Sequence, residues 1–456
     1  MLKHTLLASG IAMMLGQPLS AAAADNAELQ QIRNEIRNMK ESYEARIQAL
    51  EARLKQAEGA AGEAQSMARK ADEKAEQAAT APQPGAPSNP NAFNPEISLI
   101  LSGIYSNLSQ DPADYRITGF IPGGEIGPGN RGFSLAESEL GVYANIDPNF
   151  YGGLNLALAP DNTVGVEEAF VQTIGLSQGL SVKFGRFFSG IGYLNEQHAH
   201  TWDFVDNPLA YQAFLGTQLG EDGVQLKWLA PTETFVEVGA EVGRGKNFPG
   251  SDRDKNGAGA GTVFAHVGGD VGTSHSWRAG LSYLRTSPQD RQYDDAAVTN
   301  SFTGTSKLWL ADFVWKWAPE GNPVYTNFKL QGEYFRRRED GDLTYDVATA
   351  ASSDAYASSQ SGWYLQGIYQ FLPRWRVGLR RDQLDGGNVD YASNDAYLAQ
   401  SGYNPSKNSL MFDYNPSEFS RIRLQAAQDK SRQGVTDNQL FLQYQMSLGA
   451  HGAHKF

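Results

Sequence analysis

Tight connections and long ones alternate along most of this chain, and that alternation constrains the fold more than any single motif. From Ile97 onward, apolar and polar residues alternate with period two over stretches near 97–105, 134–145, 150–159, 166–174, 180–187, 222–230, 234–242, 262–270, 275–286, 306–318, 324–337, 361–371, 374–384, 409–415, 420–430 and 437–448. That is the period of strands with one apolar face. After every second stretch the connection is short: Asp147-Pro148-Asn149, Ser177-Gln178-Gly179, Ala230 to Glu233, Val271 to Ser274, Ala318 to Pro323, Leu372-Pro373-Arg374 and Asn415 to Glu418. The others are mostly long: 106–133, 188–221, 243–261, 287–305, 338–360 and 385–408. A soluble sandwich has no reason to sort its loops by end, whereas a barrel standing in a bilayer does. The expected fold is an all-β transmembrane barrel of about 16 antiparallel strands over residues 96–456, with both of its ends on the short-turn side.

Facing follows from the alternation. Val224, Leu226 and Trp228 are expected outside while Gln225 and Lys227 face in; Trp375, Val377 and Leu379 oppose Arg374, Arg376 and Arg380; Ile422 and Leu424 oppose Arg421 and Arg423. Aromatic residues gather beside the short turns, among them Tyr151, Trp228, Phe235, Trp315, Trp375 and Phe419. A girdle at one membrane interface places them so. Composition excludes other classes. With no cysteine there are no disulfides, Cys-type zinc sites or thiol chemistry, and a net charge of -13 argues against a nucleic-acid partner. No apolar run of about 18 residues follows the N-terminus, so helices do not span a membrane.

The N-terminal part reads differently. Residues 1–24 have the form of a signal peptide: Lys3, an apolar stretch Leu6 to Leu15, then Ala22-Ala23-Ala24 before Asp25. Residues 25–80 lack proline up to Ala79 and carry an apolar seam at Tyr43, Ile47, Leu50, Leu54, Ala57, Ala61 and Ala64, continuing in alanines to Ala78. This is an a/d repeat of about five heptads, which predicts an α-helical coiled coil preceding the barrel and a homo-oligomer. Residues 81–95, rich in Pro, Gly, Ser and Asn, read as a linker. The terminal Phe456, after an amphipathic last strand, resembles the signal read by the barrel-assembly machinery.

Glu167-Glu168-Ala169-Phe170-Val171, followed by Gly179 to Phe187 (GLSVKFGRF) and by Asp222-Gly223-Val224-Gln225-Leu226, resembles the core block of the phosphate-selective porin O and P family. The resemblance implies a sixteen-stranded outer-membrane porin, in general a trimer, with the coiled coil in the periplasm and lipid and lipopolysaccharide around the wall. It implies a passive, water-filled channel for small hydrophilic solutes, including anions such as phosphate, and no enzyme activity. The third external loop departs from the family in having no run of Lys and Arg.

Expected pore-lining residues are Lys183, Lys227, Arg278, Lys329, Arg374, Arg376, Arg380, Arg421 and Arg423, with the acids Glu139, Glu237, Glu241, Asp312 and Glu333. The basic set is denser in the last strands and the acidic set in the first half, which would set a field across the lumen. The connection 188–221 is long enough to fold inside and constrict it, with Glu196, His198, His200, Trp202, Asp203, Phe204 and Asp206 at the constriction. No cofactor is required by a passive channel. His198-Ala199-His200 nevertheless places two imidazoles on one side of an extended segment, a spacing compatible with zinc, Glu196 or Asp203 serving as third ligand; polar loop contacts are the simpler expectation. Asp252 to Gly257 matches the first half of a Ca²⁺ loop, but its twelfth position is Val263. Two other functions fit the same features: a channel for metals or metal chelates such as siderophores, and a tether from outer membrane to cell wall.

Overall fold

In the computed structural model the described residues are 95–449, apart from 124–125, 253 and 296–297, together with Arg37 and Lys40. The expected signal peptide, the linker except Pro95, Phe456 and all but two residues of the coiled-coil segment lie outside them.

The strands are β1 Glu96–Leu108, β2 Gly132–Leu135, β3 Ser138–Asn145, β4 Phe150–Leu158, β5 Val164–Thr173, β6 Leu180–Phe188, β7 Gly220–Leu229, β8 Phe235–Gly243, β9 Ala260–Val271, β10 His275–Thr286, β11 Arg291–Asp295, β12 Val298–Trp317, β13 Asn327–Tyr345, β14 Ser352–Leu372, β15 Trp375–Asp390, β16 Ser406–Ser417, β17 Ser420–Lys430 and β18 Asp437–Gly449. Between β6 and β7 an α-helix, α1, spans Leu209–Leu215. Each wall strand pairs antiparallel with its sequence neighbours, and β1 pairs with β18 from Ser98↔Gly449 to Leu108↔Gln439, which closes the ring. β2 and β3 are two parts of one wall strand, both lying against β1, and β11 pairs only with β12 outside the wall. The wall is a closed antiparallel barrel of sixteen strands, and all sixteen expected stretches fall on it.

Burial shows what surrounds the wall. Leu379 is 63% exposed, Leu281 55%, Trp309 51% and Leu442 49%, whereas inward-facing Gln425, Arg423 and Glu139 are at most 2% exposed. In a soluble fold this order is reversed. An apolar exterior over a polar interior is stable only against lipid, so the barrel is transmembrane. Among the described residues no helix is long and apolar enough to cross a membrane; strands do the crossing.

Turn chemistry sets the short ends. The Asp147 carboxylate accepts from the backbone N–H of Asn149 and Phe150 at 2.7 and 2.9 Å. Gln178 and Gly179 both take positive φ (63° and 74°), the backbone of a two-residue hairpin turn whose twist matches the strands. Three long connections are shorter than expected. Residues within 287–305, 338–360 and 385–408 continue β12 to β15 as tall hairpins. There the inner face stays buried, with Tyr356 packed against Phe302, Leu343 and Leu398, but the outward positions Ser353, Ala355, Ala357 and Ser359 are small or polar, so the period-two signal fades although the ladder continues.

Candidate functional site

The site is the connection between β6 and β7, residues 189–219, folded inside the barrel. Its neck is tied by one side chain: Asn195 donates to the carbonyls of Ser189 and Leu219 (2.8 and 3.0 Å) and accepts from the N–H of Leu219 (2.8 Å). Its first turn lands on wall carboxylates. Glu241 accepts from Ser189 Oγ at 2.5 Å and Gly190 N at 2.8 Å. Glu333 accepts from the N–H of Tyr193 and Leu194 and from the hydroxyls of Tyr211 and Tyr364. Gly192 has φ 66°, and a Cβ there would meet Glu333, so the turn needs glycine.

The middle of the loop lies between two walls of opposite charge. On the basic side, Asp203 pairs with Lys329 (2.5 Å) and Arg376 (3.2 Å), and Asp206 with Lys407 (2.7 Å) and Arg380 (3.1 Å). Arg421 and Arg423 donate to the carbonyls of His200 and Trp202. Asp413, fully buried, bridges Arg376 and Arg423. Burial raises the Asp203 and Asp206 carboxyls, but the lysine and arginine charges outweigh it and hold both well below the usual carboxylate range. On the acidic side, His198 lies between Glu167 and Glu168, and His200 Nδ1 is 2.9 Å from Glu139. Burial opposes charge on His198, but hydrogen bonds to Glu167 and Glu168 hold its pKa well above the usual imidazole range.

The end of the loop is α1. All seven of its residues are buried, on every face, against Leu308, Leu310, Phe335 and Leu384 of the inner wall and against Phe120 of the connection after β1. Phe214 packs against Phe335 at 5.9 Å, and Gly216 at φ 63° ends the helix. The inner wall is therefore not polar throughout: on the β12–β15 side it carries an apolar patch that seats this helix. Sequence reasoning missed α1. Its signal is Pro208 before and Gly216 after a short apolar run.

The expected pore-lining residues are placed as follows. Lys183 faces in, 4.4 Å from the Phe170 ring centroid. Lys227 pairs with Glu237 at 2.9 Å and lies 3.8 Å from Glu196. Arg278 donates to the carbonyl of Gly192. Lys329, Arg376, Arg380, Arg421 and Arg423 all meet the loop, as above. Arg374 is a correction. It occupies the β14–β15 turn at φ 73°, exposed, donating to the carbonyl of Pro416, because β14 runs one residue further than the alternation implied, to Leu372, and the two-residue turn is Pro373-Arg374. The expected third metal ligands are corrected too: Asp203 faces the basic wall and Glu196 lies beside Lys227, whereas Glu139 and Glu167 meet His198. In the expected calcium loop, Asp252 is taken by Arg244 (2.9 Å), and Arg253 lies outside the described residues. Asp413, Lys407 and Asp382, which accepts from Leu209 N at the start of α1, were not singled out; Asp413 and Asp382 sit at inward positions of recognised strands, and Lys407 lies in the start of β16, which read as loop.

A closed sixteen-stranded wall, apolar outside and charged within, with the β6–β7 connection folded into the lumen, defines a transmembrane β-barrel with an internal loop. The chain belongs to the same family as an uncharacterised protein of Aquifex aeolicus (strain VF5), to which it is 32% identical over 402 residues, 81% of this chain and 82% of that one. No family model matches it. Among solved structures it is similar to the loop L8 deletion mutant of OmpT, an outer membrane protein of Vibrio cholerae (TM-score 0.49, 11% identity, 78% of this chain and 100% of that one). It is also similar to the outer membrane channel DcaP of Acinetobacter baumannii (0.47, 12%, 80% and 99%) and to an anion-selective porin from Comamonas acidovorans (0.47, 11%, 78% and 100%). Likeness at this level says nothing of solute or activity.

Proposed function

We propose that this protein is an outer-membrane porin, passing small hydrophilic solutes passively through a constriction bounded by the inward loop. The observation that carries the reading is that loop, slung between a basic wall (β13, β15 to β17) and an acidic one (β3 to β5) and ion-paired to both. A transverse field of this kind favours solutes that carry dipoles and disfavours apolar ones. Anion preference is expected to be mild. The cations Lys329, Arg376, Arg380, Lys407, Arg421 and Arg423 face Asp203, Asp206, Asp382, Asp413 and Asp429, so most of their charge is answered locally. Strong selection for phosphate has no free basic cluster to rest on here. The same reading places the short turns and a trimerising coiled coil (25–80) in the periplasm.

Liposome swelling tests it. Proteoliposomes should swell in small uncharged sugars at rates falling steeply as solute size grows, and a salt gradient across a bilayer holding the protein should give only a small reversal potential. Folded protein that admits no solute would overturn the reading.

A further inference from the structure

The inward loop meets the acidic wall in a cluster whose geometry is that of metal ligands. Glu139 comes from β3, Glu167 from β5 and His198 from the loop, and one ligand atom from each lies within 4.8 Å of the other two. His198 Nδ1 is 3.4 Å from Glu139 Oε2 and 3.2 Å from Glu167 Oε2. A tetrahedral ion with bonds of about 2.1 Å has ligand-to-ligand edges of about 3.4 Å. The two edges that meet at His198 Nδ1 are already so spaced.

A second observation is independent of that spacing. The other ring nitrogen of His198, Nε2, lies 3.1 Å from Glu168 Oε2. This is the outer carboxylate that orients a metal-bound imidazole and fixes its tautomer. The other oxygen of Glu139 is likewise held, 2.9 Å from His200 Nδ1. Asn155, from β4, points its amide nitrogen at the centre of the group, 2.9 Å from Glu139, 3.3 Å from Glu167 and 2.9 Å from His198. An amide donor thus stands where the ligand atoms converge, and a flip of the amide would offer its oxygen instead.

We propose that Glu139, Glu167 and His198 bind a divalent cation of the zinc class, oriented by Glu168 and His200, which fastens the inward loop to the β3–β5 wall. Nitrogen and carboxylate oxygen together suit zinc over calcium or magnesium, which take oxygen alone. The site needs the loop inside the barrel but does not depend on whether the barrel conducts.

The test is a Zn²⁺ titration by calorimetry on the refolded, chelator-stripped full chain, with Co²⁺ absorption to report coordination. One Zn²⁺ per chain and a tetrahedral Co²⁺ spectrum are expected. His198→Ala and Glu167→Gln should each weaken binding by more than about 100-fold, and Glu168→Gln, an outer partner, by about 10–100-fold. A His451→Ala/His454→Ala variant should bind as the parent does. Heat-modifiable gel migration checks that each variant folds; if His198→Ala does not, Glu167→Gln decides. Absence of binding by the parent, binding untouched by these substitutions, or an octahedral Co²⁺ spectrum would overturn the proposal.

Discussion

At the residue scale, the inward loop is held by buried charges that each have more than one partner. Asp206 answers Lys407 and Arg380 and accepts from Gln425 at 2.8 Å. Asp206→Ala leaves two buried cations short of an anion, and removing one partner of such a pair costs about 3–5 kcal/mol. The expected outcome is a lower temperature of heat modification on gels with the barrel still formed. The pH dependence follows in sign. Because the folded carboxyls of Asp203 and Asp206 titrate lower than in an unfolded chain, their contribution is fully present above about pH 4 and is lost as pH falls through the folded values. Loop protection from protease should therefore hold from pH 7 down to about 4 and fail only below it. Most cations of this network were legible in the sequence because they sit at inward positions of alternating strands; Lys407 was not, because the start of its strand read as loop. The pairings were not legible: Asp203 and Arg376 are far apart in the chain, and only closure of the wall brings them together.

At the scale of elements, the alternation of tight and long connections located every wall strand, because one lipid-facing side chain in two is a strong constraint. It failed where β12 to β15 extend past the apolar band, because their outward positions there are small or polar although Phe302, Leu343 and Tyr356 still pack inward. It also failed inside, where α1 is only seven residues long, is buried on every face and lacks the amphipathic stripe that marks a surface helix. That helix is the element to perturb. Phe214→Ala removes a fully buried ring from contact with Phe120 and Phe335 and should cost about 3–5 kcal/mol locally. Hydrogen exchange should rise across 189–219 and stay unchanged in the β16–β18 ladder. Gly192→Ala, which strains a left-handed turn against Glu333, should free the same segment from its other end.

For the whole molecule, the barrel and the N-terminal segment make separate predictions. If residues 25–80 trimerise the chain, their deletion should lower the temperature at which the oligomer band disappears while the barrel band survives. The central claim concerns the loop inside the wall: an ion-paired bridge across the lumen that sets the size of the pore. Single-channel conductance in a planar bilayer, comparing the parent with an Asp203→Asn/Asp206→Asn variant, tests it most directly. The account expects stable, ohmic openings from the parent and larger, noisier ones from the variant, whose loop has lost its hold on the basic wall. Equal conductance from both would contradict it.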